Sequence, residues 1–233
     1  MQTEVKTISS LQVEQEQREF IVNVYKWMSM GLFLTAGIAY AVAGSKSFTD
    51  FIFGNMLVFF SLLIAEVLLV GYLATNVKKM SANTAMYTFL GYSALNGVTL
   101  SCIFLIYTAA SISTTFVVTA GTFGIMSFYG YVTKKDLTSV GNICYMALIG
   151  LIIASVVNMF LNNGMMYWII TYAGILIFVG LTAYDTQKIK QLNIIGNSGT
   201  EEDVKESISG ALILYLDFIN LFLMLLRLFG NRK

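Results

Sequence analysis

After residue 19 the chain alternates long apolar runs with short polar breaks. A helix needs about 20 residues to cross a bilayer. Seven runs have that length: Trp27–Ala43, Phe51–Ala74, Met86–Tyr107, Ile112–Val132, Gly141–Leu161, Met165–Tyr184 and Ile208–Phe229. Most breaks are short, so neighbouring helices are expected to be antiparallel. One polar loop is long, Asp185–Ser207, with Gly196-Asn-Ser-Gly199 at its tip and Glu201-Glu-Asp203 behind it. Residues 1–19 are polar and lack the apolar stretch of a signal peptide. They are read as a cytoplasmic tail with an interfacial helix near its end, ahead of one seven-helix transmembrane domain over 20–233. Small residues recur four apart on the first span (Gly31, Thr35, Ala39, Ala43) and on the third (Ser93, Gly97, Ser101). Such stripes let helix backbones approach closely.

Composition strengthens the all-α membrane reading. Of 233 residues, 57% are hydrophobic and 12% charged, and the mean hydropathy is +0.73. A soluble chain of this size has no means of keeping so much apolar surface from water. Histidine is absent, which excludes Ser–His–Asp triads, Cys–His dyads and histidine-bearing zinc or haem sites. Proline is absent too, so no helix is kinked by it. A net charge of +1 leaves no footprint for nucleic acid. Cys102 and Cys144 fall in apolar stretches and read as packing residues. With seven crossings, ten lysines and arginines share the N-terminal side and four the other. The N-terminus is therefore expected in the cytoplasm and the C-terminus outside. A re-entrant last segment would sharpen the charge bias, but its length favours a full crossing.

Ten of the 13 acids sit in the tail or in loops. The other three are Glu66, Asp185 and Asp217. An ionised carboxylate at mid-bilayer costs about 2.5–3.5 kcal/mol on insertion scales, so such groups face the bundle interior, pair or stay protonated. Asp217 lies nine residues into its span, about 14 Å deep, and Asn220 shares its face. Asp185 closes the preceding span. One loop joins the two helices, which brings both carboxylates into the cytoplasmic half. Two carboxylates that close cannot both ionise cheaply and exchange protons as a unit. The same oxygens suit weak, transient Ca²⁺ binding. Simpler readings exist: Asp185 as an interfacial helix-end residue, and Glu66 as a protonated structural hydrogen bonder. Arg227 reads as a snorkelling end anchor, and the tyrosines read as packing or interface residues. Intramembrane aspartyl proteases also use two aspartates, and Tyr184-Asp185 resembles their first motif. Here Asp217 follows Leu-Tyr-Leu, and their proline-containing motif is impossible, so no enzyme is expected.

Residues 214–230 (LYLDFINLFLMLLRLFG) resemble the last helix of the Bax inhibitor-1 family, in its bacterial inner-membrane branch. Tyr184-Asp-Thr-Gln187, Thr133-Lys-Lys-Asp-Leu-Thr138, the stretch from Asn96 to Thr108 and Val24-Tyr-Lys-Trp-Met28 are also similar, and the resemblance covers residues 20–230. It implies a seven-helix bundle of the cytoplasmic membrane, its last helix central within a surround of six. It implies a pH-sensitive calcium leak without a resident cofactor, calcium being the permeant ion. The family's proton-sensing gate falls on Asp185 and Asp217, and its second-helix acid on Glu66. A basic latch for the first aspartate falls nearest Lys78 and Lys79. Lysine offers a point charge where arginine offers a fork. Some bacterial relatives suggest another role: a non-conducting regulator that binds a membrane-bound quality-control protease through the 185–207 loop and the N-terminal tail.

Overall fold

The computed structural model describes residues 10–233. Residues 1–9 of the expected tail, Glu4 and Lys6 among them, lie outside the described residues. Among the described residues there are nine α-helices and no strand: α1 (Ser10–Ala43), α2 (Lys46–Phe53), α3 (Met56–Asn76), α4 (Ala82–Leu100), α5 (Cys102–Ile106), α6 (Ala109–Val132), α7 (Thr138–Leu161), α8 (Gly164–Leu192) and α9 (Glu201–Phe229). Seven crossings are long and apolar enough to span a membrane: α1, α3 with the 3₁₀ turn Val77–Lys79, α4 with α5, α6, α7, α8 and α9.

Local chemistry sets where these helices begin. Asn55, Ser81, Thr108, Asn163 and Thr200 each precede a helix and accept hydrogen bonds from its first turn, which satisfies amide groups that have no partner inside the helix. In α9 the acids Glu201, Glu202 and Asp203 open the helix and Arg227 sits in its last turn, matching the helix dipole at both ends. The third crossing breaks at Ser101 without proline. Thr99 Oγ1 donates to Asn96 O and Ser101 Oγ to Val98 O, a back-bonding that bends helices.

Three boundaries differ from the sequence reading. The 10–19 part of the tail is helical and continuous with the first crossing. A separate short helix, α2, precedes the second crossing, ending where the chain turns at Gly54 and Asn55. The loop expected over 185–207 shrinks to 193–200, because α8 runs on to Leu192 and α9 starts at Glu201. Amphipathic turns outside the apolar core carry a helix further than hydropathy shows. That short loop is pinned: Gly196 N donates to Glu16 Oε2 and Gly199 N to Asp203 Oδ2.

α9 is the most buried crossing, and α3 and α7 are the least buried and the most hydrophobic. In lipid that ordering is the stable one, since apolar faces cost nothing against acyl chains. α9 packs against α1, α4, α6 and α8, whereas α3 packs on α4 and α7 on α8. Of the six helices the resemblance placed around α9, these four make the extensive contacts. The two small-residue stripes meet each other. A methyl on Gly97 would lie 2.7 Å from Thr35 O, and one on Gly31 2.9 Å from Ser93 Oγ.

The chain's last residues cross to the end opposite the 193–200 loop. Arg232 bridges Tyr107, Thr108 N donates to Asn231 O, and Lys233 N donates to Ile106 O. The last helix therefore runs the whole length of the bundle as one uninterrupted segment. Between α6 and α7, Asp136 Oδ1 accepts from Thr138 Oγ1 at 2.6 Å and Thr138 N at 2.9 Å. The side-chain bond first, then the backbone bond, holds the Asp136 carboxyl below its ordinary value. A depressed carboxylate adds stability above its unfolded value and loses it as pH falls through the folded one. The thermal midpoint of Asp136→Ala should thus lie below wild type near neutrality. Scans taken from about pH 7 to about pH 3 should show that gap closing.

Candidate functional site: a buried carboxylate pair

α8 and α9 run antiparallel. A methyl on Gly174 would meet Met224 Sδ at 2.9 Å, and one on Gly210 would meet Ile189 Cγ2 at 3.0 Å. In that register Asp185 and Asp217 lie about one helical turn apart in height, roughly 5 Å. Both are buried, with 1% and 5% of their surface exposed. Their carboxyl groups are within hydrogen-bonding reach of each other. The Tyr145 hydroxyl, from α7, donates to Asp185, 3.0 Å from Oδ1 and 3.1 Å from Oδ2. Asp217 Oδ2 is buried with no partner. Asp185 is thus held by a hydroxyl from α7, whereas Asp217, among the described residues, has Asp185 as its one polar neighbour. Two like charges at that separation in a low-dielectric interior are costly.

Glycines bring the surrounding helices close. A methyl on Gly130 of α6 would collide with Ala183 O, two residues before Asp185. A methyl on Gly141 of α7 would enter the Tyr184 ring at 2.5 Å, and one on Gly180 would reach Cys144 Sγ at 2.7 Å. Cys144 and Cys102 are free, as expected of packing residues. Phe218, next to Asp217, stacks edge-on with Phe116 and Phe123 of α6, centroids 5.5 and 5.4 Å apart, and Phe116 meets Phe222. These rings fill the α6–α9 seam.

The other predicted site residues are distributed differently. The Asn220 amide donates to Leu216 O in its own helix and supports the backbone. Glu66 belongs to a separate polar cluster. Thr99 Oγ1 lies 2.5 Å from Glu66 Oε1 and shares its one proton between that oxygen and Asn96 O, Asn96 Nδ2 donates to Tyr92 Oη at 3.1 Å, and Thr35 pairs with Tyr215 at 2.7 Å. The Tyr92 and Tyr215 rings are 5.8 Å apart. Tyr215 precedes Asp217 by two residues, which places them on opposite sides of α9. The last helix therefore stands between the two clusters. Lys78 and Lys79 are exposed on the 77–79 turn, and the structure does not bring them to Asp185. The cation near Asp185 is Lys188, which lies over the Tyr184 ring at 5.7 Å. The latch expectation is corrected accordingly: Tyr145 holds Asp185, and spacing did not reveal it. Its only signal is a hydroxyl near the start of an apolar span. Among the described residues no three His, Cys, Asp or Glu converge. Two carboxylates supply at most four oxygens, where a Ca²⁺ site takes six to eight.

Seven apolar crossings around a sealed pair of acids define a polytopic helical membrane protein with a titratable core. The family model described as inhibitor of apoptosis-promoting Bax1 matches residues 17–233. The chain is 52% identical over 215 residues to the inner membrane protein YbhL of Escherichia coli K12, covering 92% of each chain. It is 45% identical over 217 residues to a protein of Borreliella burgdorferi, covering 93% of this chain and 94% of that one. A protein of Deinococcus radiodurans is 40% identical over 234 residues, covering 98% and 99%. This chain belongs to the Bax inhibitor-1 family.

Proposed function

We propose that the protein is a passive calcium leak of the bacterial cytoplasmic membrane, gated by the proton shared between Asp185 and Asp217. The N-terminus lies in the cytoplasm on this reading, because the lysine- and arginine-rich loops lie at that end. The observation that carries it is the pair itself: two acids from adjacent helices, both buried, one oxygen of Asp217 without a partner. Gain or loss of one proton changes the charge at the α8–α9 seam by one unit. Two unit charges 4 Å apart interact by about 4 kcal/mol at an effective dielectric of about 20. That is enough to shift a closed seam toward an open one. Calcium then passes as cargo along the exposed carboxylates.

The test is calcium flux into proteoliposomes across a pH series. Wild type should conduct in a pH-dependent way, and Asp185→Asn and Asp217→Asn should each flatten that dependence. Pore flux indifferent to pH and to both substitutions would falsify the gate. The regulator reading gives no flux in any variant. It also predicts a membrane protease that co-purifies with Asp217→Asn and is lost when residues 193–200 are replaced.

A further inference from the structure

At the end of the bundle opposite the 193–200 loop, a cleft of about 570 Å³ is lined by Arg227, Arg232, Tyr167, Trp168, Asn158 and Asn162, among others. Both guanidinium groups converge on one side chain. Arg227 Cζ is 5.8 Å from the Tyr167 ring centroid, and Arg232 Nη2 is 3.4 Å from the Tyr167 hydroxyl. A guanidinium stays charged at any pH a protein tolerates, so the cleft holds two fixed positive charges. No Asp or Glu lines it. Among the described residues the single ion pair is Lys205–Glu202, at the other end. Both guanidinium groups are exposed, and among the described residues no side-chain carboxylate pairs with either, so they are free to bind an external anion.

The surroundings point to the missing charge. Arg227 occupies the last turn of a crossing, and its neighbours Phe229, Met165, Ile169 and Trp168 are exposed at 55, 76, 60 and 44%. Exposed apolar side chains beside a tryptophan mark the level of lipid headgroups. The first turn of α8 begins at Gly164 on the cleft wall, and the positive end of its helix dipole favours an anion. Asparagine amides add neutral donors.

We propose that this cleft is a phosphate-binding site, with Arg227 and Arg232 as a two-armed clamp on the phosphate of an anionic lipid headgroup. Paired guanidinium–phosphate contacts are bidentate and directional. They go beyond a single snorkelling side chain, which needs only a polar level to reach.

The test uses the full-length protein in non-ionic detergent. The chain has two tryptophans, so a Trp27→Phe background leaves Trp168 as the reporter in the cleft. Brominated short-chain phosphatidylglycerol should quench Trp168 saturably. Arg227→Gln and Arg232→Gln should each weaken that binding by about tenfold or more, with unchanged helical circular dichroism. Lys46→Gln, a cation outside the cleft, should bind as wild type does. Zwitterionic phosphatidylcholine should bind more weakly than phosphatidylglycerol. Inorganic phosphate that competes at the same concentration as the lipid supports the clamp and assigns it to a free anion. Equal affinity in wild type and both arginine variants, or quenching that never saturates, overturns the site.

Discussion

Asp217→Leu is expected to stabilise the protein, and Asp185→Leu to destabilise it. The two acids share one seam but differ in what they leave behind. Asp217 Oδ2 is buried without a partner, and an unsatisfied buried polar group costs about 1–3 kcal/mol. Leucine has the same heavy-atom branching, with bulkier methyl groups in place of the two oxygens; it carries no polar atom and removes that cost. Asp185 keeps its bond from Tyr145 in this variant. Removing Asp185 instead strands the Tyr145 hydroxyl and leaves Asp217 alone in an apolar interior. The expected thermal midpoints in detergent therefore move in opposite directions, by several degrees each, at roughly 2–4 °C per kcal/mol for a chain of this size. The Asp217→Leu protein should at the same time lose pH-dependent calcium flux. Stability gained as activity is lost marks a group retained for function. Asp217→Leu that is as unstable as Asp185→Leu would show that Asp217 is a structural bond and leave the gate unsupported.

Gly130→Ala should have the largest effect on folding of any small substitution. The added methyl collides with Ala183 O, and a backbone carbonyl inside a helix cannot rotate away. α6 and α8 must separate, which opens the packing directly beside Asp185. Overpacking in cores costs about 1–3 kcal/mol and sometimes more, and a backbone contact belongs at the upper end. Gly121, on the same helix, is the control. A methyl there meets nothing within 4 Å, so Gly121→Ala should be neutral or gain up to about 1 kcal/mol of helix propensity. Detergent-extracted yield and thermal midpoint for the two variants, measured side by side, check the contrast. Equal behaviour would mean that the α6–α8 seam is looser than its geometry.

The seven crossings and the three membrane acids were legible because both follow from one-dimensional rules. A crossing needs a run of apolar residues of fixed length, and a carboxylate inside such a run stands out on cost alone. The facing small-residue stripes of α1 and α4 were legible for the same reason, since a four-residue period puts them on one helix face. Partners were not. Tyr145 looks like any aromatic in an apolar span, and only the packing of α7 on α8 aims its hydroxyl at Asp185. Glu66 looked like a third member of the site. The 200° turn between Tyr215 and Asp217 places the Glu66 cluster on the far side of α9.

Helix ends were misjudged where hydropathy stops before the helix does. α8 continues eight residues beyond Tyr184, the expected end, because polar amphipathic turns still satisfy their backbone within the helix. The latch was misplaced because sequence proximity to a helix end says nothing about which neighbour lies across the seam. By itself the sequence determined a seven-span membrane protein with two acids at convergent depth, because lipid penalises every charge and every unpaired amide along the chain. Only the tertiary structure decided which acid is held by a hydroxyl, and that two arginines at the opposite end share a cleft that no Asp or Glu lines. Those are distances between helices, and periodicity along one helix carries no information about them.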